Sequence, residues 1–202
     1  MSDIQYGSIS ERYEHLLKVM SSERFRKKEG LGNEVPFFIC PFKPKETPEL
    51  EKIEHQLANK LTQLGIPVLE VNLYDLAIEI LKENDDWDYY LEEEEHMDKE
   101  RFKEELQSIL DIETVLAPEI ARKMKESSFE MMFIMGVGEV FPYIRSHNIL
   151  NNLQKIAKEK PTVMFFPGDY RYSLESGASL ELFEKLRDDK YYRAFNIFHY
   201  EV

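Results

Sequence analysis

Phe133 to Leu153 reads FIMGVGEVFPYIRSHNILNNL. An apolar run ends in Gly136-Val137-Gly138, followed by Glu139, Pro142, the triplet Arg145-Ser146-His147 and an amphipathic stretch. Strand, glycine turn and helix is the order in which many phosphate sites begin. A helix N-terminus offers unpaired N–H groups and the positive end of its dipole. A P-loop needs more: glycines that let amides wrap the phosphates, a Lys for the β and γ phosphates, and Ser or Thr for Mg²⁺. The loop after the first apolar run, PFKPKET, has Lys43, Lys45 and Thr47 but no glycine, and two prolines that remove amides. The run before Gly136 also lacks a terminal Asp to hold Mg²⁺. A dinucleotide fingerprint fails too. Phe141 stands at its third glycine position, and the turn follows the third strand candidate instead of opening the first βαβ unit.

Other chemistry is equally incomplete. Cys40 ends an apolar run and reads as a buried thiol. Ser146 and His147 are neighbours and would point apart on a helix. There is no Gly-x-Ser-x-Gly elbow. His15, His55, His96, His147 and His199 are scattered, without H-x-x-x-H or H-E-x-x-H spacing. The run Glu92 to Glu95 reads as a solvated helix start. No catalytic, cofactor-binding or metal-binding residue is assigned. Two features stay open. Arg145, Ser146 and His147 form an anion or partner site at a helix start, or they only cap it, with Arg145 paired to Glu139. Tyr170, Tyr172, Tyr191 and Tyr192, mixed with Arg171, Arg187 and Arg193, suit an interface or a core equally.

The elements that must position these residues alternate. Helices are expected from Ser10 (as N-cap) to Met20, over Ser22–Lys28, from a Thr47 N-cap to Gly65, and over Tyr74–Lys82, Asp98–Leu110 and Ile112–Glu126. Ser146 is expected to cap a helix over Asn148–Lys158, and Leu180–Arg187 reads as a short helix. In the helix after Thr47, Leu50, Ile53, Leu57, Leu61 and Leu64 share one face. Strands are expected over Val35–Cys40, Pro67–Asn72, Phe129–Met135, Thr162–Phe166 and Ala194–Tyr200. Pro167 to Tyr170 reads as a loop.

This order predicts an α/β single domain over residues 1–202, with a mostly parallel five-stranded sheet flanked by helices. It also admits a degenerate P-loop-NTPase-like core without Walker motifs. Residues 1–30 form an N-terminal helical extension and 83–100 an acidic insertion. In such sheets, sites gather at the carboxyl ends of strands. The expected interaction residues are therefore Gly136, Gly138, Glu139, Tyr143, Arg145, His147, Gly168, Tyr170 and Arg171.

Composition sets limits on partners. The chain has 202 residues, 43% hydrophobic, enough for one full core. It carries 26 basic and 39 acidic residues, a net charge of −13. Residues 83–100 alone hold 10 acids and one Lys. That balance opposes sequence-independent binding to nucleic acid, which needs concentrated Lys and Arg. With one cysteine, no signal-like apolar core and no run near the ~20 residues that span a bilayer, a soluble cytoplasmic protein is expected, not a membrane one.

Several stretches carry a family resemblance: GVGEVFPYIRSHNILNNLQ, KPTVMFFPGDY, DKYYRAFNIF, RYEHLLKVMSSERF, and EVPFFICPFKP with IPVLEVNLYDL. Over about Arg12 to Phe198 the chain resembles the BrxB family of bacterial BREX phage-exclusion systems. The resemblance implies a small component of a multi-protein defence system without established catalytic residues. It implies companions: a PglZ-type alkaline-phosphatase-like protein, a large BREX ATPase and an adenine-specific DNA methyltransferase. A non-enzymatic adaptor that docks such partners through its strand-end loops is the leading expectation. A degenerate nucleotide-binding or DNA-binding regulatory domain is the alternative, with Arg145, Arg171 and Arg193 as the DNA contacts.

Overall fold

Apolar residues in the central strands alternate between two cores because helices cover both faces of the sheet. The computed structural model describes residues 4–31, 34–173, 177–189 and 194–202. Its parallel strands are β1 (Phe37–Phe42), β2 (Val68–Asn72), β3 (Met131–Met135), β4 (Thr162–Ser173) and the short β7 (Phe195–Asn196), in the order β2-β3-β4-β1-β7. β5 (Gly177–Leu182) and β6 (Leu186–Asp189) add an antiparallel extension on the second half of β4. Phe37, Ile39, Met132, Ile134, Met164 and Phe166 face one core, while Phe38, Cys40, Met131, Phe133, Val163 and Phe165 face the other. This is the period of two expected of a strand, doubled by burial on both sides.

The helices divide between the faces. α1 (Ile9–Ser21), α2 (Glu23–Arg26) and α3 (Thr47–Gln63) lie on the Phe38 face, where Leu16, Met20, Phe25, Leu57 and Leu61 are fully buried. α4 (Leu73–Glu83), α5 (Trp87–Glu93), α6 (Lys99–Ile109), α7 (Ala117–Glu126) and α8 (Ser146–Ile156) cover the Ile39 face. The N-terminal helices therefore contribute directly to the core. Within 83–100, α5 buries Tyr90 and half-buries Trp87, leaving most of its acids in water. α3 ends as expected: Gly65 has φ +80°, and its N–H and that of Ile66 donate to Thr62 and Leu61 carbonyls.

Several expectations need correction. The N-cap of α1 is Ser8, in a reciprocal capping box with Glu11, not Ser10. Thr47 does not cap α3; its hydroxyl donates backward to the Pro44 carbonyl at 2.7 Å. Ser146 is a buried residue inside α8, and Arg145 holds the N-cap position. Leu64 is 53% exposed, outside the apolar stripe. Pro167 to Tyr170 is strand, not loop. Leu180–Arg187 is not a helix but parts of β5 and β6 around a turn at Phe183 and Glu184, with φ of 56° and 57°. Two consecutive positive φ values are the signature of a tight hairpin, here without its usual Asn or Gly. The last strand contracts to two residues because the Asn196 side chain accepts from the Phe198 N–H and starts a 3-10 turn.

The glycines explain the strand exits. Gly136 has φ +71°, and a Cβ there would sit 2.5 Å from Asn72 Oδ1. That oxygen caps α4 by accepting from the Tyr74 and Asp75 N–H groups. At Gly168 a Cβ would lie 2.1 Å from the Glu181 carbonyl, across the β4–β5 pairing. At Gly138 the clash is with the rings of Phe183 and Pro167 at 2.9 Å; the Phe183 ring can turn aside and the Pro167 ring can repucker, so these side-chain contacts yield more readily than backbone. Urea unfolding should rank the Ala variants accordingly. Gly168→Ala should lose roughly 3 kcal/mol or more and Gly136→Ala about 2 kcal/mol, with Gly138→Ala the mildest. A Gly138→Ala loss exceeding the other two would contradict this account of the turn.

Candidate functional site

The connection from β1 crosses to β2 through α3 on one face, whereas that from β3 reaches β4 through α8 on the other. The chain thus parts at the carboxyl ends of β1 and β3, on either side of the parallel half of β4, and a crevice opens there, as the geometry of open parallel sheets requires. Its volume is about 220 Å³. Phe42, the last residue of β1, and Phe165, in the parallel half of β4, floor it, Thr47, Glu51 and Glu54 come from α3, and Gly136 to Glu139 form one wall. Pro167 and Phe183 close the other side; the Phe183 N–H donates to the Pro167 carbonyl at 2.8 Å and holds the hairpin turn over the crevice.

This is not an amide cradle for phosphate. Pro44–Glu46 form a 3-10 turn before α3, and the anion beside that helix start is the chain's own Glu46. Its carboxylate accepts from the Lys43 N–H at 3.3 Å and pairs with the buried Arg12 at 3.0 Å. The crevice itself is lined by Glu51, Glu54 and Glu139 and by no Lys, Arg or His. Among the described residues no group of three or more His, Cys, Asp or Glu is arranged to hold a metal ion.

Glu54 is the unusual member. Its side chain is 5% exposed, although it lines the crevice. No hydrogen bond or ion pair satisfies its carboxyl among the described residues. Burial, reinforced by the charges of Glu51, Glu139 and Glu70, pushes its pKa up to about 8. Partial burial, then Glu51 and Asp75, also raise that of Glu139. Cys40, fully buried beneath, has its thiol pushed strongly upward by burial and by Glu54. The thiol is inert packing, as its strand position predicts.

The expected interaction residues separate into groups. Gly136, Gly138 and Glu139 line the crevice. Tyr143, half-buried, belongs to a neighbouring apolar groove of about 270 Å³ with Tyr74, Trp87, Leu91 and Phe102, and Glu139 stands at the edge of both cavities. Arg145 is exposed in a polar cleft with Gln107, Asp111 and Asn152. No ion pair joins it to Glu139 among the described residues. His147, Gly168 and Tyr170 are buried; the Tyr170 hydroxyl donates to the Ala194 carbonyl at 2.6 Å. Arg171 is 73% exposed and pairs with Asp169 at 3.0 Å. Tyr191, Tyr192 and Arg193 lie outside the described residues. The sequence reading passed over Glu54. Its signal was an acid four residues after Leu50 and three before Leu57, inside the apolar stripe of α3.

A carboxyl whose pKa is higher folded than unfolded binds more protons in the native state. Its contribution is fully present below the ordinary Glu range and declines as pH rises toward about 8. Wild-type stability should therefore fall across pH 5 to 8 by more than that of Glu54→Gln, with a divergence on the order of 5 kcal/mol. Parallel stability–pH curves from denaturant titrations would show that Glu54 is not the buried acid described.

The BrxB family profile, described as BREX protein BrxB, matches residues 69–197. A relative from Bacillus cereus (strain H3081.97), described as BREX protein BrxB, is 33% identical over 197 residues, covering 94% of this chain and 97% of its own. One from Escherichia coli O9:H4 (strain HS), with the same description, is 27% identical over 179 residues, covering 88% of this chain and 86% of its own. No solved structure shows significant similarity. No helix among the described residues is long and apolar enough to cross a membrane. The matched region contains the wall Gly136 to Glu139, the floor at Phe165 and the hairpin turn at Phe183, and the B. cereus likeness extends over nearly the whole chain. The chain belongs to the BrxB family of BREX proteins.

Proposed function

We propose that this chain is a non-enzymatic adaptor of a BREX defence complex, docking a partner protein through the surface at the carboxyl ends of its strands. The observation that carries this reading is the chemistry of the crevice. It has carboxylates and apolar walls where a nucleotide-binding sheet would present amides and a lysine. Its one hydroxyl, on Thr47, is already committed to the Pro44 carbonyl. Apart from Thr47, no side chain lining the crevice is a nucleophile that Glu54 could activate. The adjoining groove exposes Tyr74 by 44% and Leu91 by 51%, and contiguous apolar surface of this kind marks protein interaction sites. Its rim bears Glu94 and Glu139 and adjoins the acidic 83–100 segment, which favours a basic partner surface.

The nucleotide-binding reading has one observation in its favour, the placement of a crevice where the β1 and β3 connections leave on opposite faces. The acidic lining opposes it. The purified chain, incubated with the PglZ-type protein, the large ATPase and the methyltransferase of its own system, should retain one of them without ATP or DNA. A Tyr74→Ala, Tyr143→Ala variant should lose most of that retention while keeping its melting temperature within a few degrees. Retention of none, together with a melting temperature raised by ATP, would replace the adaptor reading with the nucleotide one.

A further inference from the structure

The crevice at the carboxyl ends of β1 and β3, beside the parallel half of β4, holds a carboxyl that the fold leaves unanswered. Glu54 is nineteen-twentieths buried, lines the cavity and has no hydrogen-bonding or ionic partner among the described residues. A buried acid without a partner is destabilising, and proteins hold such groups either neutral or against a cation. Every other charged group lining this cavity, Glu51 and Glu139, has the same sign. We propose that the crevice is a receptor for one basic side chain, an arginine or lysine of the docked partner. Its cationic head would meet Glu54, and its aliphatic stem would lie against Phe165, Pro167 and Phe183. This rests on the adaptor reading and gives it a point of contact.

Size, walls and charge select that ligand. At about 220 Å³ the cavity falls below the ~300–1,000 Å³ typical of sites for drug-sized molecules, so it suits a side chain better than a nucleotide. Phe42, Phe165, Pro167 and Phe183 offer apolar surface to a methylene stem, as long basic side chains require. A divalent ion is a poorer match: among the described residues no three carboxylates are grouped to hold a metal ion. The charged groups around Glu54 come from several elements: Glu51 on α3, Glu139 after β3, Glu70 on β2 and Arg12 on α1. Arg12 does not line the cavity and is engaged by Glu46. Glu70 pairs with His55 at 2.7 Å on the sheet edge. The entering cation thus meets an excess of negative charge. Because Glu54 holds a proton near neutral pH, an incoming guanidinium would displace it, and binding should tighten as pH rises.

The test uses N-acetyl-arginine methylamide and its uncharged citrulline isostere as probes. Backbone amide chemical shifts of the full chain are followed at pH 6.5 and 8.5. The arginine probe should shift the signals of Val137, Gly138 and Phe183 saturably, and bind more tightly at pH 8.5. Glu54→Gln, checked for an unchanged fold by its amide spectrum away from the crevice, should weaken it at least about tenfold, and the citrulline probe should leave the signals in place. Equal shifts from citrulline, no effect of Glu54→Gln, or no response to the arginine probe would each overturn the proposal. Agmatine is the arm for a free small cation. If it binds more tightly than the arginine probe while Glu54→Gln still retains the partner, the side-chain assignment is wrong. If the wild-type chain retains a partner and Glu54→Gln retains it equally, the crevice proposal fails and docking stands. If the wild-type chain retains no partner, docking itself fails, and with it the partner side chain.

Discussion

Strand β4 is the constraint on which the rest of the structure depends. Its first half pairs in parallel with β1 and β3 and is buried on both faces. Its second half pairs antiparallel with β5, outside the parallel core. The change falls at Pro167 and Gly168. Parallel pairing with β1 ends at Pro167, and the antiparallel ladder with β5 begins at Gly168. A residue with a Cβ at Gly168 would meet the Glu181 carbonyl, so the switch needs glycine there. From it follows the position of the β5–β6 turn, whose Phe183 reaches back over the strand ends and meets Phe141 edge-on at 6.2 Å. Without the switch the crevice would lose one wall.

The glycine turn after β3 has a related role. Gly136 admits the cap of α4 and Gly138 admits Phe183, so both bring neighbouring elements close to the backbone. Neither is paired with a lysine or a run of free amides, which phosphate binding would require. The turn is a packing device that also forms the wall of a cavity. Gln107 of α6 donates to the Pro142 carbonyl at 3.0 Å and ties the rest of this loop to the helical layer.

Much of the fold was legible because local and tertiary preferences agreed. The alternation of apolar runs and amphipathic helices gave the parallel α/β core, and strands such as FEMMFIM, with no polar face, already implied cover on both sides. Legibility failed where a local pattern had two solutions. LELFEKLR satisfies helical spacing, but Leu180 and Leu182 also alternate as strand residues, and only pairing with β4 decides between them. Phe183 and Glu184 gave no sign of positive φ, since neither is Gly, Asn or Asp. At the site, position along the chain indicated Gly136, Gly138 and Glu139, which the fold brings together. It could not show that His147 and Tyr170 turn inward, because burial at a helix start or in the outer half of a strand depends on elements distant in sequence. Glu54 was hidden by its type: an acid on a helix is ordinarily read as solvent-facing.

The crevice inverts the usual electrostatics of its position. At the carboxyl end of a parallel sheet, helix N-termini point their positive ends inward and favour anions. Here Glu46, Glu49 and Glu51 crowd the start of α3 and answer that field with fixed carboxylates. Arg12, the buried cation nearby, is neutralised by Glu46. What remains inside the crevice is Glu54, three residues further along α3 than Glu51, with burial opposing its charge and no cation to relieve it. A chain selected for stability alone would place an apolar residue at this position on the stripe, because a partnerless buried acid weakens the fold. An acid there, in the cavity that the sheet topology must create, is the charge that the proposed docking of a basic side chain would answer.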